Sequence, residues 1–218
     1  MKSQDQVFLN YEGDNWFERN KSFLKVNEED LPLYLIKQYN LKPKNVLEVG
    51  SSNGYRLAQI HKKFKSKVYA VEPSAKAIKN GKKEWPFINW QRNTAASMNY
   101  KSNFFDLVII NSVFHWISRD TLLASVAKID QVLGWGGALI IGDFQTPIPI
   151  KKRYHHIKNK KVFTYKTDYK KIFLTTGFYK EVATLSKDHD RKVLTIKTTI
   201  DNYFSTSLLR KEDLYTKV

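Results

Sequence analysis

The run Val46-Leu47-Glu48-Val49-Gly50-Ser51-Ser52-Asn53-Gly54 constrains this chain more than any other feature. An apolar strand ends in a turn of small residues, and a helix-type pattern follows, with Leu57, Ile60 and Phe64 on one face. Small residues let a ligand approach the backbone, and a helix N-terminus offers unpaired N–H groups to negative charge. A second strand over 67–71 closes on Glu72-Pro73. That places a carboxylate roughly 20 residues beyond the turn, where it can accept hydrogen bonds from ribose hydroxyls. Each signal falls where a Rossmann-like unit needs it.

Short β-type and helical runs then alternate, as in a parallel sheet with crossover helices. A strand is expected over 88–91. Another, over 105–110, is apolar apart from Asp106 and reads as buried on both faces. Ser74 is a plausible cap for a helix that Gly81 ends, and Ser118 for a helix with Leu122, Val126, Ile129 and Leu133 on one stripe, stopped by Gly134. A fifth strand is expected over 137–141, a helix over 168–176, and a closing antiparallel pair over 180–185 and 192–199. Upstream, 16–25 and 29–39 read as helices, the second with Asn27 and Asp30 approximating a capping box.

Composition narrows the chemistry. The 218 residues carry 37 Lys and Arg against 21 Asp and Glu, a formal net charge of +16, and no cysteine. A disulfide framework, a thiolate zinc site and a cysteine nucleophile are therefore excluded. No stretch approaches the ~20 apolar residues that span a bilayer, and Asp5, Glu12 and Asp14 stand where a signal peptide would place its apolar core, which points to the cytoplasm and away from membranes. The positive charge invites nucleic acid as a partner. A solvated lysine-rich surface is the plainer reading.

At this point the sequence resembles the class I S-adenosylmethionine-dependent methyltransferases over roughly residues 45–145. The likeness rests on Glu48-Val49-Gly50 through Gly54, on Glu72, on Phe105-Asp106-Leu107-Val108, and on the leucine and Gly-Gly turn from Leu133 to Gly137. It implies an α/β Rossmann-like fold: a seven-stranded, mostly parallel sheet with an antiparallel last strand, helices on both faces and an N-terminal helical lid. Residues 1–44 would form the lid, and 45–218 the methyltransferase domain with an acceptor-binding insertion around 145–178. Carried over, the resemblance puts Glu48 and Gly50 along the methionine part of S-adenosyl-L-methionine, with Gly54 relieving crowding behind it. Glu72 would hold the ribose, Thr94 and Ala95 would meet the adenine, and Asn111 would sit beside the reacting sulfonium, with Ser51, Ser52 and Pro73 as further cofactor contacts. The chain departs from the family at Ser52, where a second glycine is usual. A nicotinamide site would want Gly-x-Gly-x-x-Gly, whereas the glycines here are Gly50 and Gly54, with an acid two residues before the first.

For the acceptor, the segment Asn111-Ser112-Val113-Phe114-His115-Trp116 lacks the Asn/Asp-Pro-Pro-aromatic pattern of enzymes that methylate base amines. It looks like the small-molecule branch instead. His115 is the candidate general base, set against a packing role beneath the loop, and Trp116 a candidate wall of the acceptor pocket. The start Tyr11-Glu12-Gly13-Asp14-Asn15-Trp16-Phe17-Glu18-Arg19-Asn20 is similar to those of bacterial methyltransferases of sugar and surface-polysaccharide pathways. That similarity would make Tyr11 and Trp16 acceptor contacts and Arg19 the partner of the methionine carboxylate, by its bidentate fork.

Tyr154, His155, His156 and Tyr165 follow the fifth strand, where acceptor-binding loops are commonly inserted; adjacent histidines without further ligands do not form a metal site. The first reading is thus methyl transfer to a small polar or anionic molecule such as a sugar or sugar nucleotide, at oxygen. The alternatives are an RNA or DNA methyltransferase or binder, using the aromatics interleaved with Lys over 154–171, and a non-catalytic methyltransferase-like interaction module.

Overall fold

A computed structural model describes residues 3–25, 30–191, 193–195 and 197–215. The N-terminal segment is a helix in pieces: α1 (Gln4–Val7), a π-helical turn (Phe8–Glu12) and α2 (Gly13–Asn20), then a 3-10 turn (Lys21–Phe23). It starts well before the expected residue 16. α3 (Leu31–Gln38) is capped by Asp30, whose side chain accepts the Leu33 N–H at 3.0 Å; Asn27, the other half of the expected capping box, lies outside the described residues.

The alternation that follows is β1 (Asn45–Val49), α4 (Tyr55–Phe64), β2 (Lys67–Glu72), α5 (Ala75–Glu84), β3 (Asn89–Arg92), β4 (Phe105–Asn111), α6 (Leu122–Val132) and β5 (Leu133–Phe144). A small hairpin, β6 (Ile150–Arg153) and β7 (Phe163–Lys166), leads to α7 (Lys170–Leu174), β8 (Tyr179–Asp188) and β9 (Tyr203–Lys211). Seven strands form one sheet in the order β3-β2-β1-β4-β5-β9-β8, parallel from β3 to β5, with β9 antiparallel to both of its neighbours; β6 and β7 pair separately. The Rossmann-like seven-stranded sheet with an antiparallel last strand is the architecture found.

Apolar layers cover both faces of the sheet. Leu47, Val108 and Ile110 pack with α6 and α7 on one face, and Val46, Leu107 and Ile109 with α3 and α4 on the other. The exception in β4 is Asp106, exposed at the strand's start, where it accepts the N–H groups of Lys44 and Asn45 at 2.9 and 2.8 Å. Among the described residues no helix is long and apolar enough to cross a membrane.

Three expectations are corrected. The last strand is Tyr203–Lys211, not 192–199, of which Lys192 and Ile196 lie outside the described residues. β9 sits between two strands and is buried on both faces, but Ser205, Thr206 and Ser207 fill it with small polar side chains that erase the apolar signal. α5 runs past Gly81 to Glu84, because Gly81 serves the packing: a Cβ there would lie 2.3 Å from the Trp90 ring. α6 is preceded by Thr121 rather than capped by Ser118, and both hydrogen-bond to Asp5 of the N-terminal helix, the Ser118 N–H at 2.7 Å.

Candidate functional site

A cleft with about 1110 Å³ of empty space opens at the carboxyl ends of β1, β2 and β4, beneath the N-terminal helix. Open α/β sheets bind ligands at this edge. The turn after β1 makes its floor. Gly50 has φ +71°, and a Cβ there would come 2.3 Å from Val113, so only glycine lets the loop after β4 close on the turn. The Gly50 N–H donates to the Val71 carbonyl at 2.7 Å, tying the turn to β2. Gly54, also left-handed at φ +77°, stands behind the cleft, where a Cβ would meet Ile88 at 2.6 Å.

Glu72 braces this floor. Its Oε2 accepts the Ser52 N–H at 2.8 Å and its Oε1 the Ser74 N–H at 2.9 Å. Burial pushes its carboxyl up to about 7, against the lowering effect of those two N–H groups. Ser74 caps α5 by accepting the Ala77 N–H and donates its own hydroxyl to Asp14 of α2 at 2.7 Å.

Glu48 shares the wall and is 1% exposed, with burial pushing its carboxyl up and the Arg56 guanidinium opposing this. Its Oε1 is paired with Arg56, while its Oε2 has no partner among the described residues. Arg56 also donates from Nε to both Asp30 oxygens and from Nη2 to the Tyr55 hydroxyl, each at 3.0 Å. A buried carboxylate oxygen left open in a cleft wall fits an ammonium or hydroxyl of a bound ligand.

The structure brings together Trp16, Glu48, Gly50, Ser51, Ser52, Glu72, Pro73, Thr94, Ala95, Asn111 and Trp116 in one wall. Asn111 is accommodated by Gly142 of β5, where a Cβ would sit 1.9 Å from its Oδ1. The far end of the cleft is aromatic: Phe8 stacks on Trp116 at 5.5 Å, and Trp16 meets Trp116 edge-on at 6.2 Å.

Other predicted residues stand outside this wall. Arg19 is a third exposed and pairs with Glu12, donating also to the Tyr154 hydroxyl at 3.1 Å; the guanidinium that lines the cleft belongs to Arg56. Tyr154 is buried, donates to Glu12 Oε1 at 2.8 Å, and packs against Trp116 at 5.6 Å, one layer behind the cleft; burial drives its phenol far up. Tyr11 is half exposed under the Lys160 ammonium, and Tyr165 lies under the Arg119 guanidinium. His155 and His156 meet at 3.9 Å with their rings tilted at 45° on the surface, and His156 is held below the usual range by partial burial, Arg19 and His155.

His115 is 3% exposed; its Nδ1 lies 2.8 Å from Asp143 Oδ1 and its backbone N–H donates to Asp143 Oδ2 at 3.3 Å. Its ring packs on Trp116 and Phe144, behind the cleft wall.

Sequence reasoning missed Tyr55, Arg56, Asn93 and Phe8. Arg56 did carry a signal. A cation in the first turn of a helix opposes the macrodipole, so it has to answer to another partner.

Residues 47–141 match the Methyltransf_11 family, a methyltransferase domain. No sequence among curated proteins matches the chain. Solved structures share the fold at low identity. A Burkholderia thailandensis 1,6-didemethyltoxoflavin-N1-methyltransferase, with bound 1,6-didemethyltoxoflavin and S-adenosylhomocysteine, aligns with TM-score 0.74 at 14% identity over 95% of this chain and 88% of that one. N-methyltransferase NodS from Bradyrhizobium japonicum, in complex with S-adenosyl-L-homocysteine, aligns with TM-score 0.63 at 16% identity over 96% and 99%. A putative sarcosine dimethylglycine methyltransferase from Galdieria sulphuraria aligns with TM-score 0.66 at 12% identity over 93% and 99%.

The matched region is a class I S-adenosylmethionine-dependent methyltransferase domain. The open Glu48 oxygen and the Gly50 turn of this domain suit that cofactor.

Proposed function

We propose that this protein transfers the methyl group of S-adenosylmethionine to a small molecule whose nucleophile needs no deprotonation at the moment of attack: a neutral nitrogen or an anionic oxygen. The carrying observation is the aromatic end of the cleft, where Phe8, Trp16 and Trp116 offer flat apolar faces and, among the described residues, no unengaged base. The nearby carboxylate Asp5 is committed to Ser118 and Thr121, and His115 lies behind the wall.

The cofactor supplies an electrophilic methyl on a sulfonium. The chain's own part is alignment and exclusion of water, since orientation can contribute several kcal/mol to an in-line displacement. Glu72 would hold the ribose, Glu48 the methionine ammonium, and Arg56, fixed by Asp30 and Glu48, the positive side of that pocket. Thr94 and Ala95 would meet the adenine, and Asn111 would stand beside the sulfonium. Trp16 and Trp116 would grip the acceptor. Two neighbours of like fold are named for N-methylation, which supports the nitrogen reading. The sugar assignment draws only on the sequence around Tyr11 and Asn20, and a carboxylated or phosphorylated sugar satisfies both.

The test is methyl transfer from labelled S-adenosylmethionine to a panel of amines, N-heterocycles, carboxylates and neutral sugars. Turnover of nitrogen or carboxylate acceptors is expected. Turnover confined to neutral hydroxyls would overturn the assignment, and absent S-adenosylhomocysteine binding would remove the cofactor from it.

A further inference from the structure

Between residues 145 and 167 the chain carries seven Lys and Arg and no Asp or Glu. This is the β6–β7 hairpin, and its two faces differ. The inner face packs Tyr154, Ile157 and Val162 against Val7 and Phe8 of the lid and against Trp116. It is stapled there: Gln4 donates to the carbonyls of Trp116 and Phe163 at 2.7 and 2.8 Å, and the Trp116 indole donates to Thr164 at 3.3 Å. Because Phe8 and Trp116 line the cleft, the hairpin lies one side-chain layer from its aromatic end.

The outer face is cationic. Lys152 and the buried Lys166 share Asp201, but Lys151, Arg153, Lys158, Lys160 and Lys161 are exposed with no carboxylate partner among the described residues. Several are nonetheless ordered. Arg153 donates to the Lys158 carbonyl at 2.7 Å across the hairpin tip, Lys160 stands 4.5 Å over Tyr11 of the lid, and Lys151 stands 4.2 Å over Phe163. Unpaired like charges held together raise the local potential and cost less to order when an anion arrives.

We propose that this outer face is the anchor for an anionic group of the phosphate or diphosphate class carried by the methyl acceptor, whose reacting end reaches the chamber of Phe8, Trp16 and Trp116. The inference rests on the small-molecule reading above. Nucleic acid would use the same cations, but its bases would need open aromatic faces for stacking. Here Tyr11, Phe163 and Tyr165 already lie under Lys160, Lys151 and Arg119.

The test titrates the S-adenosylhomocysteine-loaded full chain with inorganic pyrophosphate and, separately, with a single-stranded RNA of about 20 nucleotides, sized to exceed one ssRNA site. The variant is Lys158→Glu with Lys160→Glu and Lys161→Glu, all exposed residues outside the cofactor wall. Wild type is expected to bind pyrophosphate, and the variant to bind it at least about tenfold more weakly with unchanged S-adenosylhomocysteine affinity. No pyrophosphate binding by wild type, or equal binding by the variant, would overturn the proposal. So would RNA binding about 100-fold tighter than pyrophosphate with a steep salt slope, which would make the hairpin a nucleic-acid surface. Loss of S-adenosylhomocysteine binding by wild type reports on the methyltransferase reading instead.

Discussion

The backbone N–H of Ser52 donates to Glu72 Oε2 at 2.8 Å, joining the turn after the first strand to the residue that ends the second. Among the described residues Glu72 has no cation partner, and burial holds its carboxyl near 7 instead of the ordinary 4.5. The folded protein therefore keeps this proton more tightly than the unfolded chain, a stabilisation fully present below about pH 4.5 and lost as pH rises toward 7, worth about 3 kcal/mol at most. His189 and His156, held low, act in the opposite sense near pH 6, so the variant comparison isolates the carboxyl. The melting temperature of Glu72→Gln should gain on wild type as pH goes from 5 to 8, while its affinity for S-adenosylhomocysteine falls about 10- to 100-fold for the lost charged acceptor. A constant difference across that range would contradict the account.

Ser52 itself sits at φ +51°, in the left-handed region, with a buried hydroxyl that has no partner among the described residues. A non-glycine residue there costs about 1 kcal/mol. Ser52→Gly should leave stability within about 1 kcal/mol, since glycine's looser unfolded chain offsets the relief. S-adenosylhomocysteine affinity, read by calorimetry, should be equal or higher.

Legibility followed how directly each element's role shows in its own side chains. The β1 turn and Glu72 were readable because ligand-approach geometry demands small residues and an acid at fixed register. β9 was not, because a strand buried on both faces by Ser205, Thr206 and Ser207 has no apolar pattern to read. Arg19 and Arg56 show the same limit within the site. Both are near acids in sequence, but only the fold puts Glu12 against the first and the cleft against the second.

His115 gives a sharp discrimination between packing and catalysis. Its ring is engaged by Asp143 and buried between Trp116 and Phe144. His115→Ala should cost about 2–4 kcal/mol by opening a cavity and removing a buried hydrogen bond, with S-adenosylhomocysteine affinity within about twofold of wild type. Lost turnover at an unchanged melting temperature would return His115 to catalysis.

The seat of the N-terminal helix against α5 depends on Gly13, where a Cβ would lie 2.7 Å from the Phe8 carbonyl oxygen and 3.3 Å from the Ser74 nitrogen. Both are backbone atoms, so neither yields cheaply. Gly13→Ala should push the N-terminal helix off the start of α5 at a cost of about 1–3 kcal/mol. Stopped-flow release of S-adenosylhomocysteine should quicken by about tenfold or more, that being the rate equivalent of 1.4 kcal/mol. Unchanged release would show that the cofactor leaves by another route.

Arg56 is the most consequential residue the sequence motif did not name. It is buried, and it satisfies Asp30 at the entry to α3 and Glu48 at the end of β1 simultaneously. Arg56→Ala would leave two buried carboxylates without their cation, a loss of about 3–5 kcal/mol when a buried pair is broken from one side. Arg56→Lys keeps the charge but cannot reproduce the fork that reaches Asp30 from Nε while meeting Glu48 and Tyr55. The lysine variant should fold, melt below wild type, and bind S-adenosylhomocysteine more weakly, with the deficit growing as pH rises toward 7 and Glu48 ionises. Asp30→Asn, which removes one of the two carboxylates that Arg56 holds, should lower stability less than Arg56→Ala. A ranking in which Asp30→Asn is the more damaging change would place the anchor at the lid entry rather than at the floor of the cleft.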